Sequence, residues 1–220
     1  RRISDSEMEL LRTSVSAALT KTDKCRQYIK DLIEEVAANT ESDRNEIIST
    51  DIEKLLKIVY DSRGPSEGLG GVHLRLGTGG NARNHWNWKN GPGSADIYLG
   101  IEHYFPSGGW NGTGELLSKT VNEAIVELLG SPRYGGMITI HELMHVALKG
   151  RADDVDYARA AATLAGEVYT PIPYDETKES SASNRPLNYQ ASEYWGERLN
   201  QACGFPSHIR NKMTNYRLYR

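Results

Sequence analysis

His141, Glu142 and His145 form the pattern H-E-x-x-H, which is the strongest chemical signal in the sequence. On a helix, residues i and i+4 lie one turn apart on the same face, so two imidazoles at this spacing can hold one metal ion. The pattern predicts one Zn²⁺ per chain, with His141 and His145 as ligands. Glu142, next to the first ligand, can act as the base toward a zinc-activated water.

A catalytic zinc ion needs a third protein ligand, and its fourth position is left open for water. A carboxylate is favoured here, since no third histidine follows His145 at the spacing of the metzincins. A ligand supplied by a second helix, as in the gluzincins, would be Glu167, 22 residues beyond His145. Three nearer carboxylates are open as well: Asp153, Asp154 and Asp156.

A second short pattern follows the motif at close range. Asp154-Val155-Asp156-Tyr157 fits D-x-x-Y, nine residues past His145 and just after Gly150. Together with H-E-x-x-H, this arrangement resembles the aspzincin metallopeptidases, the deuterolysin and peptidyl-lysine endopeptidase type. The resemblance covers residues 95–203, and its other similar stretches are Ile97–Leu99 with Tyr104-Phe105, and Asn188-Tyr189 with Glu193–Trp195.

The resemblance implies roles for two residues. Asp154 would be the third zinc ligand, and Tyr157, three residues later, would donate a hydrogen bond to the oxyanion. Each residue has an alternative, because Asp is also a favoured N-cap and Tyr157 also suits a core-facing position. The chain departs from the family pattern at three places: the Gly-Thr before the aspartate is Gly150–Ala152 here, the closing Gly is Ala158, and the strand Cys is Gly100.

These residues together predict a zinc metalloendopeptidase that acts on a peptide or protein substrate. Zinc lowers the pKa of bound water from about 15.7 toward about 7, and Glu142 takes the proton and passes it to the leaving amine. Three alternatives stay open: a gluzincin-type enzyme, a zinc hydrolase of non-peptide amides, and a non-catalytic binding module. In the module, zinc would be structural, with four protein ligands and no open position.

The surrounding elements predict an α+β, mainly helical zincin-like fold with a small sheet beside the active-site helix. Apolar residues on both sides of the motif, with Gly150 behind it, predict a buried helix. Residues 1–62 carry three amphipathic stripes and form a helical N-terminal region, and residues 72–220 form the zinc-dependent catalytic region. We expect both regions to form one compact unit. Val72–Leu76 and Ala95–Ile101 alternate like strands, and we expect the second to pair with extended substrate at the sheet edge.

Composition and charge exclude other classes of protein. The net charge of −3 and the pI near 6.1 do not indicate a nucleic-acid-binding protein, which would carry a basic surface. No apolar run approaches the roughly 18 residues of a membrane span. The chain starts Arg1-Arg2-Ile3-Ser4 without the apolar stretch of a signal peptide, although a secreted or exported location is favoured. Spacing leaves open whether Cys25 and Cys203 pair, and nothing indicates the oligomeric state.

Overall fold

Six α-helices run through the part of the chain whose side chains the structure describes. This computed structural model describes side chains at residues 3–39, 46–60, 126–127, 129–178, 181 and 184–206, and backbone alone at residues 61, 73–77, 83–86 and 95–100. None of the helices in these ranges has the length and apolar character that crossing a membrane requires. The helices are α1 (Asp5–Thr20), α2 (Cys25–Asn39), α3 (Ile52–Asp61), α4 (Met137–Ala147), α5 (Asp154–Leu164) and α6 (Leu187–Ala202).

The three predicted N-terminal helices are confirmed, because each buries the face that its apolar spacing indicates. α1 starts at a capping box, in which Ser4 and Glu7 accept from each other's backbone N–H groups. α3 starts after Asp51, whose carboxylate accepts from the N–H groups of Glu53 and Lys54 at 3.0 and 3.2 Å. The buried faces consist of Met8, Leu11, Val15, Ala18 and Leu19 in α1, Cys25, Ile29, Leu32, Ile33 and Val36 in α2, and Ile52, Leu55, Leu56 and Val59 in α3.

α4, which carries the H-E-x-x-H motif, lies inside the hydrophobic core. A helix that is apolar on nearly every side is stable only when other elements surround it. The successive residues Met144, His145 and Val146 point about 100° apart around α4, and all three are buried. One hydrophobic cluster joins α4 to buried residues of the five other helices. The N-terminal helices and the motif therefore share a core.

A disulfide bond joins the two cysteines whose pairing the spacing left open. Cys25 is the first residue of α2, and Cys203 directly follows α6, 178 residues later in the sequence. Both side chains are fully buried. The bond therefore ties the start of α2 covalently to the end of α6.

The predicted α+β class, with a small sheet beside the active-site helix, is wrong. Of the residues with described side chains, 67% are helical, and no strand or sheet is found among them. The backbone adds three short strands, β1 (His73–Gly77), β2 (Arg83–Trp86) and β3 (Ala95–Gly100). The elements that position the motif are helical because their apolar residues follow the helical period rather than the strand period.

The expectation that the Ala95–Ile101 strand pairs with substrate is also wrong. The strand order is β1-β3-β2, with β1 parallel and β2 antiparallel to β3. β3 is thus the middle strand, and both of its edges are already paired. An incoming peptide needs a free edge.

α5 is shorter than its apolar pattern predicts. The pattern runs from Tyr157 to Val168, but the helix ends at Leu164 and Gly166 follows with a φ of 70°. Leu164 and Val168 are 41% and 86% exposed, so the second half of the pattern does not face the core. The apolar spacing of Val121, Ala124, Ile125, Leu128 and Leu129 also predicts a helix, and that segment lies largely outside the described residues.

Candidate metal centre

A π-helical turn, Pro132–Gly136, fixes where the motif helix begins. Ser131 caps this turn, and its hydroxyl accepts from the N–H of Tyr134 at 3.3 Å. At the end of the turn, a Cβ on Gly136 would stand 2.8 Å from the carbonyl oxygen of Ser14 in α1. Because only glycine permits so close an approach, α4 leaves the turn in direct contact with α1.

A tight turn after α4 returns the chain toward the motif. Lys149 and Gly150 have positive φ angles of 56° and 66°, and the N–H of Gly150 donates to the carbonyl of His145 at 2.8 Å. This left-handed C-terminal cap confirms the helix end that Gly150 predicts. Asp153 then caps α5. The turn thus places Asp154 in the first turn of α5, beside the histidines of α4.

Three of the side chains that the sequence suggests as zinc ligands meet at one point. Nε2 of His141 lies 3.4 Å, and Nε2 of His145 lies 3.3 Å, from the same oxygen of Asp154, Oδ1. The three donor atoms lie within 4.8 Å of one another. The side chains of His141 and Asp154 are 17% and 25% exposed, so solvent reaches part of the group.

The distance from Oδ1 of Asp154 to each Nε2 fits a shared metal ion better than a direct hydrogen bond. Donors about 2.0–2.1 Å from a tetrahedral zinc lie about 3.3–3.4 Å from one another, which is the edge of the tetrahedron. A charge-assisted N–H···O bond would be shorter, about 2.7–2.9 Å. Two imidazoles and a carboxylate are also a donor set that zinc accepts. The residues therefore fit Zn²⁺.

No family model, curated protein or solved structure matches this chain. The resemblance to the aspzincins stays a prediction, carried by H-E-x-x-H and D-x-x-Y.

Further contacts hold the proposed ligands from their outer side. Nδ1 of His145 lies 3.1 Å from the carbonyl oxygen of Ala152. This contact favours the proton on Nδ1 and leaves Nε2 free for a metal. The indole N–H of Trp195 donates to Oδ1 of Asp154 at 2.9 Å. The sequence pattern predicts neither partner: a backbone carbonyl has no sequence signature, whereas a buried Trp does indicate that some acceptor is near its N–H.

The charges in this group shift its pKa values in opposite directions. Burial alone would lower the pKa of His145 and raise that of Asp154. The close contacts and opposite charges between Asp154 and the two histidines outweigh burial, so the pKa of His145 is raised to about 9 and that of Asp154 is lowered. In the metal-free protein Asp154 is ionised and His145 carries a proton at neutral pH, which a metal has to displace.

Glu142 and Tyr157, the two predicted catalytic residues, are both buried. Glu142 stands between the two histidines in the sequence of α4. Burial raises its pKa, and this effect outweighs the charges of the two histidines, which lower it. The hydroxyl of Tyr157 donates to the carbonyl oxygen of Met144. An oxyanion role for Tyr157 would require this bond to be exchanged, and that role stays a prediction.

The other carboxylates considered as ligands have different partners. Asp153 and Asp156 accept from each other's backbone N–H groups at the start of α5, at 3.0 and 3.1 Å. Glu167 accepts from the hydroxyl of Tyr194 and the guanidinium of Arg198, both on α6. The N-cap role therefore belongs to Asp153, and the neighbouring Asp154 is the carboxylate that meets the histidines.

Proposed function

We propose that this protein is a zinc metalloendopeptidase of the aspzincin type, with His141, His145 and Asp154 as ligands. The observation that carries the proposal is the meeting of three donor atoms at H-E-x-x-H, in which Oδ1 of Asp154 lies 3.4 and 3.3 Å from the two Nε2 atoms, close to the edge of a tetrahedral zinc site. Within the described part of the chain this group has three protein donors rather than four. Three donors support a fourth position that is open to water and substrate, as catalysis requires.

The chemistry divides between the ion and the chain. Zn²⁺, when bound, supplies a Lewis acid that acidifies water and polarises a carbonyl group. The carboxylate of Glu142 accepts the proton of the attacking water and returns it to the leaving amine. A peptide approaches from the side on which His141 and Asp154 are exposed.

The disulfide supports an exported enzyme. Bonds such as Cys25–Cys203 form and persist in secreted proteins and are rare in the cytosol. We therefore infer that this protein meets its peptide or protein substrate in an oxidising compartment.

Hydrolysis of a fluorogenic peptide library, before and after chelation, tests the proposal. Activity should be lost with the chelator and return with Zn²⁺. Glu142→Gln should keep its zinc but lower turnover by about 10²–10⁴, because the base is removed while the ligands remain. Glu167→Ala is the control for a carboxylate outside the site, and it should keep both zinc and turnover.

Each alternative function has its own result in this experiment. Near-normal turnover in Glu142→Gln would remove Glu142 from the role of base. Zinc binding without cleavage of any amide would favour the non-catalytic module. Cleavage of simple amides but not of peptides would favour a non-peptide zinc hydrolase.

A further inference from the structure

Trp195 contacts each of the three proposed zinc ligands without being a ligand itself. Its indole N–H donates to Oδ1 of Asp154 at 2.9 Å. Its ring stacks on the ring of His141, with 3.8 Å between centroids and 21° between planes, and meets the ring of His145 edge-on at 5.7 Å. We propose that Trp195 is a positioning residue that orients these ligands for Zn²⁺, an inference that rests on the proposed zinc site.

The hydrogen bond reaches the carboxylate oxygen that faces both histidines. Oδ1 of Asp154, the acceptor of the indole N–H, is also the atom 3.4 and 3.3 Å from the two Nε2 atoms. A carboxylate oxygen has two lone pairs, so it can accept one N–H and bind a metal with the other. The bond therefore selects the oxygen that turns toward the metal and holds the Asp154 side chain in place before zinc arrives.

Burial makes the hydrogen bond between the indole N–H of Trp195 and Asp154 important for stability. Trp195 is fully buried, and its N–H is a donor only. A buried donor without an acceptor is destabilising, because water cannot replace the lost bond. The rotamers of Trp195 and Asp154 are thus fixed by each other, although the two residues are 41 positions apart in the sequence.

The stacking contact has most effect on His141. His145 is oriented by the carbonyl of Ala152 at its Nδ1, which is the usual means of fixing a metal-binding imidazole. Among the described residues, no such partner is found for Nδ1 of His141, which lies beside Gly196, where an added Cβ would stand 3.7 Å away. The indole ring on the face of His141 restricts the rotation that a hydrogen bond would otherwise restrict.

Trp195 is itself held by a ring from α5. Tyr157 stacks on the indole with 4.7 Å between centroids and 24° between planes, and its hydroxyl is bonded to the Met144 carbonyl of α4. His141, Tyr157 and Trp195 come from α4, α5 and α6 respectively. Each of these three helices thus contributes a ring to the stack. A shift of α6 would therefore move the indole and change the orientation of the ligands.

Trp195→Phe tests the proposal, because it keeps an aromatic ring but removes the N–H. Zinc affinity, measured by competition with a chelator, should fall about 10–100-fold, which is the range for losing a contact behind a metal ligand. The visible absorption bands of the Co²⁺-substituted protein should also change, because the ligand oxygen is no longer fixed. The matched control is Leu199→Ala, a buried residue one turn later on α6. It should lower the urea midpoint without changing zinc affinity or the Co²⁺ spectrum.

A second measurement uses the unmodified protein and needs no folded variant. The chain has four tryptophans, and one indole N–H signal in the ¹H–¹⁵N spectrum should resist exchange and shift on addition of Zn²⁺. If no indole signal shifts, or if Trp195→Phe binds zinc as tightly as the parent, the positioning role is refuted. Equal losses of zinc affinity in Trp195→Phe and Leu199→Ala would also overturn it. Zinc binding by the parent without peptide cleavage would end the endopeptidase proposal and leave this one standing.

Discussion

Two adjacent aspartates at the start of α5 should differ in what the same substitution does to zinc affinity. Asp154→Ala removes a proposed zinc ligand, whereas Asp153→Ala removes the cap of the helix. Both changes delete one carboxylate at the same helix N-terminus, so their effect on the helix dipole is shared. Any difference between the variants therefore reports the partners of each side chain.

For Asp154→Ala the main loss is expected in zinc affinity. Structural zinc sites with four ligands bind with about 10–16 kcal/mol at neutral pH. One ligand then corresponds to roughly 2.5–4 kcal/mol, or about 10²–10³ in affinity. The metal-free variant should also lose about 1–3 kcal/mol of stability, because the buried indole N–H of Trp195 no longer has its acceptor.

For Asp153→Ala the loss is expected in stability alone. Its capping box with Asp156 contains two hydrogen bonds of 3.0 and 3.1 Å, and losing such a cap costs about 0.5–2 kcal/mol. Zinc affinity should stay unchanged, because this carboxylate accepts from the backbone of α5 rather than facing the histidines.

Chelator competition gives the zinc affinity, and urea titration of the metal-free proteins gives the free energy of unfolding. The reverse pattern, with zinc lost in Asp153→Ala and kept in Asp154→Ala, would refute the ligand assignment. Loss of zinc in Glu167→Ala alone would favour the gluzincin arrangement instead.

Three further predictions concern the disulfide, the glycines at positions 136 and 166, and the charge of His145. Replacing Cys25 and Cys203 by Ser should cost about 2–5 kcal/mol of unfolding free energy, since the bond closes a long loop in the unfolded chain; equal urea midpoints with and without the bond would contradict this. Gly136→Ala should destabilise the protein strongly, since its Cβ would meet the α1 backbone at 2.8 Å. Gly166→Ala, which meets no atom within 4 Å, should cost only about 1–2 kcal/mol for its positive φ, and similar losses of melting temperature in both would argue against the close approach. In the zinc-free protein, the stabilisation from the raised pKa of His145 is complete below the unfolded-state pKa of about 6.5 and is lost as the pH rises through about 9. Urea midpoints of chelated protein should fall between these two pH values, and a flat profile there would rule out this charge state.

The helices and the two histidines were predictable because their signals are local. The apolar spacing in α1, α2 and α3 reports burial of one face, and the structure buries those faces. The i, i+4 spacing of His141 and His145 fixes their common side once α4 is helical. Gly150 predicts the helix end because few other residues tolerate its φ.

The fold class was not predictable by the same means. Alternation in Val72–Leu76 and Ala95–Ile101 suggested a sheet beside the motif, but alternation says nothing about which element a strand packs against. The neighbours of α4 in the described part of the chain were decided by long-range contacts, such as Gly136 against Ser14. Leu164 and Val168 are exposed for a similar reason. Their spacing continues the apolar pattern of α5, but no other element packs over them in the described part of the chain.

The choice between Asp153 and Asp154 shows most clearly where sequence reasoning ends. Both residues are good N-caps, and they differ by one position. Had α5 started one residue later, the carboxylate of Asp154 would bond the backbone of its own helix and be lost to the histidines. The turn after α4 determines which aspartate is the N-cap, because the positive φ angles of Lys149 and Gly150 set the residue at which the chain returns toward α4 and α5 begins. With this turn, Asp153 accepts from the backbone N–H at the start of α5, and the carboxylate of Asp154 faces Nε2 of His141 and His145.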